Sequence, residues 1–356
     1  MVIGEETLVR EPLYEKLKKR LLCYIETENL RMLPNEKELM ARYGVSRNTL
    51  RRAILELTND KVLQPIQGLG TIVYPVPQIV ENSRILVAFD PDMGLFQQEV
   101  FNKLLLLLNN SRLNSNVIML DKEHVDVARF EEVLKGCDGV IVDQLCSYSP
   151  VVIEQVRKTG KKLVCLRWKP DTDIPFVAED VCAGFYFLAR HLLELGHRDI
   201  VFIGHDDDIR RIPGIRRAFE EHKLDPSLLY CIHAEVGTRA DGYRCTDALL
   251  KSGRRFTAIL GNSDETALGI EERLLIAGKR IPEDVSVTGF DNLKESAVYP
   301  VPLTTCSGDM ERIIHEVIAY LFSARNSGAT LNKLIEPQLI ARQSTGRVPI
   351  VHHNGM

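Results

Sequence analysis

Several things are missing from this 356-residue chain, and each absence removes a class of function. No apolar run approaches the ~18–20 residues that a membrane-crossing helix needs. The first ten residues, MVIGEETLVR, hold two glutamates and no apolar stretch, unlike a secretory signal. The expectation is a cytoplasmic protein with no membrane partner. The eight cysteines, at 23, 137, 146, 165, 182, 231, 245 and 306, show no CxxC spacing and no accompanying histidine cluster. They predict reduced, buried thiols rather than disulfides or a zinc site. The glycine loops GxGxxG and GxxxxGK[ST] are absent, which removes the common nucleotide-cofactor readings. The histidines 124, 197, 205 and 233 have no neighbouring nucleophile in a triad pattern. Asp206–Asp208 lack further ligands at a fixed spacing and read as a polar loop. No enzyme, cofactor or metal is expected.

What is present points to a soluble chain of two or three domains. Hydrophobic residues make up 45% and charged residues 26%, both ordinary for globular proteins. The net charge of −4 is unevenly spread. Residues 10–75 hold 12 Lys/Arg against 8 Asp/Glu, a net of +4, and the remainder carries −8. A basic head on an acidic body assigns any nucleic-acid partner to the head.

The head reads as three helices and a hairpin. Pro12 opens a pattern with Leu13, Leu17, Leu21, Leu22 and Ile25 on one face. Asn35 and Glu38 form a capping-box pattern before a short second helix that ends near Tyr43-Gly44. Ser46 caps a third, whose buried stripe is Leu50, Ala53, Ile54 and Leu57. Val62–Ile66 and Thr71–Tyr74 read as strands around a glycine-rich tip, Gln67-Gly68-Leu69-Gly70. The domain boundaries follow: a head over 1–75, a Pro-containing linker over 76–83, a body over 84–347 and a tail over 348–356. In the body, strand-like runs at 85–89, 117–120, 139–142, 163–166, 200–204, 258–260 and 285–290 alternate with helix-length segments. That alternation predicts an α/β fold with parallel sheets, long enough for two lobes.

If the stripe of the third helix faces inward, Arg47, Asn48 and Arg51 face outward near its start. This suits a recognition helix, because an Arg fork matches guanine O6/N7 and an Asn amide matches adenine N6/N7. Ser46 and Thr49 offer hydroxyls to phosphate. Gly68 and Gly70 let a wing tip approach the DNA backbone closely. The segments LPNEKEL (33–39), YGVSRNTLRRAILEL (43–57) and QGLGTIV (67–73) resemble the GntR-type winged helix-turn-helix. The resemblance implies DNA contacts by Lys37, Arg47, Asn48, Thr49 and Arg51, and by Gln67 and Gly68 in the wing. Lysine at 37 replaces the family's usual arginine and offers a point charge instead of a fork.

Three stretches of the body, RHLLELGHRDIVFIG (190–204), NSDETALG (262–269) and IPEDVSVTGFDNLKESAVYPVPLTT (281–305), resemble the LacI/GalR effector domain, whose fold is that of periplasmic sugar-binding proteins. Ligands of open α/β sheets bind beyond the carboxyl ends of strands. Asp90, Ser263, Asp264 and Asp291 follow strand runs, and Arg211 opens the helix after 200–204. Carboxylates with an Arg fork suit vicinal sugar hydroxyls. The resemblance makes Arg211 and Asp291 the leading ligand contacts, with Asp180 as a further candidate. Trp168, just past a strand, either stacks on a sugar face or packs at a lobe edge. Ser263 stands where the family usually has asparagine, so a purine or another metabolite remains open beside the sugar. The resemblance implies a homodimeric repressor on a pseudo-palindromic operator that releases DNA when ligand binds between the lobes. A hydrolase carrying a DNA-binding head is the alternative from another class, and it lacks an assembled nucleophile–base set.

Overall fold

The structure, a computed structural model, describes residues 12–28, 30, 32–60, 62–66, 70–73, 83–90, 94–110, 114–120, 125–143, 149–170, 173–205, 210–322 and 331–348. Gln67, Gly68, Asp206–Asp208, most of the expected linker and most of the tail lie outside these residues. The chain divides into two compact units. One comprises Met1–Pro91, Phe101–Val177 and Glu311–Asn332; the other comprises Asp92–Val100, Ala178–Met310 and Lys333–Met356.

The first unit begins with the head: α1 (Leu13–Thr27), α2 (Glu36–Tyr43), α3 (Arg47–Asn59), β1 (Leu63–Ile66) and β2 (Gly70–Val73). Leu17, Leu21, Ile25, Leu39, Leu50, Ala53, Leu57 and Val73 form its core. The periodicities of α1 and α3 converge there. Leu13 is an exception to the expected face of α1: it is 60% exposed, being in a first turn that extends past the core. Asn35 caps α2 by accepting from Glu38 N–H, and Ser46 caps α3 by accepting from Thr49 N–H. Gly44 ends α2 in the left-handed region (φ 63°), which turns the chain sharply into α3.

The chain then alternates strand and helix as far as β6, with β7 following it directly: β3 (Arg84–Phe89), α4 (Leu95–Asn110), β4 (Asn114–Met119), α5 (Val127–Lys135), β5 (Gly139–Val142), α6 (Pro150–Lys158), β6 (Lys162–Arg167) and β7 (Phe176–Glu179). β3 pairs in parallel with β4 and β5, and β5 with β6. β3 and β5 are buried almost throughout, as strands covered on both faces must be. In the leucine run, Leu104, Leu107 and Leu108 enter the core and Leu106 stays exposed.

The second unit continues with α7 (Val181–Glu194), β8 (Ile200–Gly204), α8 (Ile212–Glu221), β9 (Tyr230–His233), α9 (Arg239–Lys251), β10 (Ala258–Gly261), α10 (Asp264–Ile276), β11 (Ser286–Thr288), α11 (Lys294–Val298) and β12 (Thr305–Ser307). Its sheet runs β11-β10-β8-β9, all parallel. After α12 (Met310–Phe322), β13 (Asn332–Ile335) joins the first sheet at its β7 edge, and β14 (Gln338–Ile340) pairs antiparallel with β12. The short strands β7, β9 and β12–β14 are not marked in the sequence, because each mixes polar with apolar residues instead of forming an unbroken apolar run. Among the described residues no cysteine is paired; Cys23 is exposed, against the expectation of burial for all.

Glu271 is the odd residue in this core. It is fully buried on α10, and neither carboxylate oxygen has a hydrogen-bond partner. Burial, and then the nearby Asp264 charge, push its carboxyl up to about 8 from 4.5. Below about 4.5 the folded and unfolded chains both hold the proton. Between there and about 8 only the folded chain does, so this group lowers stability as pH rises through that window, and the loss levels off above it. Glu271→Met should therefore stabilise the second unit at pH 8, by roughly 1–3 kcal/mol for the unsatisfied group. The gain should shrink towards pH 5. Denaturant midpoints at the two pH values measure it, and an equal gain at both contradicts the assignment.

Candidate DNA interface and ligand site

The DNA-facing candidates converge on the start of α3. Ser46, Arg47, Asn48 and Arg51 are exposed there, with Lys37 exposed on α2 and Thr49 half-buried. Ser46 spends its hydroxyl on the cap and lies 2.9 Å from Thr49 Oγ1, so these two hydroxyls already form a pair. Gly70 opens β2 at φ 103°, a conformation that favours glycine, and it is exposed. One residue of this surface went unnoticed in the sequence. Glu36, the first residue of α2, bonds both Arg47 and Arg51. Its position reads locally as an acidic residue complementing a helix N-terminus. Only the packing of α2 on α3 brings it to arginines 11 and 15 residues away.

In the second unit the candidates collect at one sheet edge, because β8, β10 and β11 run in the same direction. Arg211 precedes the first turn of α8, and its Nε donates to Asn262 O at 3.1 Å. The guanidinium lies 5.4 Å from the Phe185 ring centroid. Ser263 caps α10 by accepting from Thr266 N–H. Asn262 is buried, and its Oδ1 accepts from Thr266 Oγ1 at 2.6 Å. Asp291 follows β11 with φ 116°, a strained setting for an aspartate, and its N–H donates to Cys306 O. Arg211, Ser263 and Asp291 are all half-buried, so polar atoms are both held and reachable.

Asp264 is placed differently from its neighbours. It is fully buried, its Oδ2 accepts from Leu293 N–H at 2.8 Å, and its Oδ1 accepts from Thr305 Oγ1. Burial raises its carboxyl's pKa, while these hydrogen bonds work against that shift. The geometry makes it the anchor of the 289–293 loop that carries Asp291, with its oxygens turned inward. Asp180 is half-buried and caps α7 through Ala183 N–H at 2.9 Å.

The first unit holds the other two candidates. Asp90 follows β3, is 4% exposed, and its N–H donates to Asp143 Oδ2. Asp143, at the end of β5, is a second buried acid that the sequence reading passed over. Trp168 is buried just past β6.

Comparison with known proteins separates the two parts. Residues 10–73 match the gntR family of bacterial regulatory proteins, and residues 189–345 match the periplasmic binding protein-like domain. The chain carries a GntR-family head on a periplasmic-binding-protein-like domain. Proteins with similarity across nearly the whole of this GntR-headed chain include the arabinose metabolism transcriptional repressor of Geobacillus stearothermophilus. That protein is 24% identical over 382 residues, covering 97% of this chain and 100% of the repressor. The HTH-type transcriptional regulator RegA of Clostridium saccharobutylicum is 28% identical over 342 residues, covering 88% and 100%. The HTH-type transcriptional repressor PurR of Pasteurella multocida is 29% identical over 252 residues, covering 67% and 71%. Among solved structures, a LacI family regulator from Enterococcus faecium with bound ribose superposes with a TM-score of 0.66 at 23% identity. It covers 74% of this chain and 99% of that one. The regulator CCPA of Weissella paramesenteroides with bound sucrose gives 0.65 at 19%, with the same coverage. These two likenesses establish the fold of the body.

Asp264→Ala should leave the Leu293 N–H and the Thr305 hydroxyl without their acceptor, at about 1–3 kcal/mol for each buried group. Hydrogen exchange of the 289–293 amides should accelerate. Unchanged exchange would show that the loop is held by other contacts.

Proposed function

We propose that this chain is a sequence-specific transcription regulator, a repressor, whose operator affinity is set by a small ligand. The carrying observation is the exposed Arg47–Asn48–Arg51 face at the start of a capped α3, behind the tight turn at Gly44. Those side chains read base edges in the major groove, with Lys37 and Thr49 on phosphate. The GntR resemblance adds Gln67 and Gly68 as contacts to the flanking backbone. The relatives named as transcriptional repressors and regulators support this reading.

The ligand is a sugar, bound in the second unit by Arg211, Ser263 and Asp291; Asp90 and Trp168 are the first unit's own candidates for ligand contact. An Arg fork donates and a carboxylate accepts, and vicinal hydroxyls do both. Asp180 and Asp264 support the site by holding α7 and the Asp291 loop. Ligand binding releases DNA, which requires different ligand affinities for the DNA-bound and free arrangements. The protein acts in the cytoplasm as a homodimer, so that two heads meet two half-sites. Catalysis forms no part of this reading.

Titration calorimetry of the full chain against pentoses, hexoses, their phosphates and purines separates the ligand classes. Binding of a purine and no sugar overturns the sugar assignment. Arg47→Ala should cost roughly 1–3 kcal/mol of DNA affinity and relax one base preference; unchanged affinity refutes its contact. Arg211→Ala and Asp291→Ala should keep DNA binding and lose the ligand response in a gel-shift titration. Loss of DNA binding instead would mark them as structural.

A further inference from the structure

One carboxylate stands among the basic side chains of the head's exposed face. Glu36 divides its oxygens between two guanidinium groups of α3. Oε2 accepts from Arg47 Nε at 2.8 Å and Oε1 from Arg51 Nε at 2.8 Å, with Arg51 Nη2 at 3.4 Å from Oε2. The arginine side chains are 63% and 62% exposed. Arg51 first, and then Arg47, hold the Glu36 carboxyl below its usual range, so it stays ionised. Exposed ion pairs add little to stability. A negative charge on a surface that meets a polyanion also opposes binding. Its place in the first turn suits the N-terminus of α2, but that role does not call for a reach to both arginines, and raw affinity opposes it.

Discrimination does account for it. Binding to arbitrary DNA comes from neutralised phosphates and released counterions, and it scales with the positive charge on offer. A carboxylate that occupies two guanidinium groups reduces that offer on every sequence. At the right site, guanine O6 and N7 supply directed acceptors that compensate an arginine for leaving the carboxylate. Specificity is a difference of affinities, and a repulsive element widens it. Resting on the DNA-binding reading above, we propose that Glu36 is a specificity-determining residue. It aims Arg47 and Arg51 and suppresses phosphate-only binding, so the head holds tightly only where base edges take over both arginines.

The test uses the full-length protein, a duplex obtained by in-vitro selection with the wild type, and a scrambled duplex of equal length. Glu36→Gln should bind the scrambled duplex several-fold to ~10-fold tighter, with a salt slope steeper by about 0.9 for one further phosphate contact. Its preference for the selected duplex should fall by at least the same factor. Glu36→Asp keeps the charge but is too short to span both arginines. It should free one arginine, bind the scrambled duplex more tightly than the wild type and less tightly than Glu36→Gln, and lose part of the preference for the selected duplex. Scrambled-duplex affinity that is unchanged or weaker in Glu36→Gln, or an undiminished preference, overturns the proposal. Should Glu36→Gln not fold, wild-type behaviour of Glu36→Asp on both duplexes overturns it. A selection with the wild type that enriches no sequence overturns the DNA-binding reading itself and is distinct from either variant's result.

Discussion

Parallel pairing of β8, β9, β10 and β11 sends all four carboxyl ends to one edge of the second unit. Everything else at that edge depends on this constraint. The chain must leave each strand there and return through a helix, so helix starts and strand-exit loops collect in one place. Arg211, Ser263 and Asp291 lie far apart in sequence, and they share a neighbourhood because the strands before them share a direction.

That edge is held from below by buried polar groups. Asp264 ties α10 to the loop after β11 and to Thr305. Arg342 bonds Ser296 and the Leu303 carbonyl, and also Asn292, the neighbour of Asp291. The positive φ angles of Asp291 and Asn292 persist because these bonds over-determine the loop. In the head, capping bonds and the turn at Gly44 play the corresponding part, setting the direction in which α3 presents its first turn. In both places the residues that face outward are few, and more of the chain is spent holding them.

Much of this was legible in the sequence, and the limits are physical. The caps at Asn35 and Ser46 are local, so spacing alone reveals them. The strands at 139–142 and 200–204 are unbroken apolar runs and fall where expected. β7, β9 and β12–β14 mix polar with apolar residues over three or four positions, so no apolar run marks them. Partnerships across elements were out of reach: nothing local joins Glu36 to Arg51, or distinguishes an inward Asp264 from its half-buried neighbour Ser263. The two carboxylates at 264 and 291 look alike in sequence, and only tertiary hydrogen bonding assigns them different work. Leu13 shows the converse failure, where a correct period overran the edge of the core.

Trp168 is the chain's single tryptophan, and it is buried next to a strand exit in the first unit. This has an optical consequence. Red-edge excitation selects one fluorophore at one address, so the emission spectrum of the whole protein is a local spectrum. It reports the polarity and packing beyond β6 without contributions from the head or from the second unit. Any change in that light is a statement about one side chain's surroundings. The natural protein thus carries a site-specific probe with no label attached.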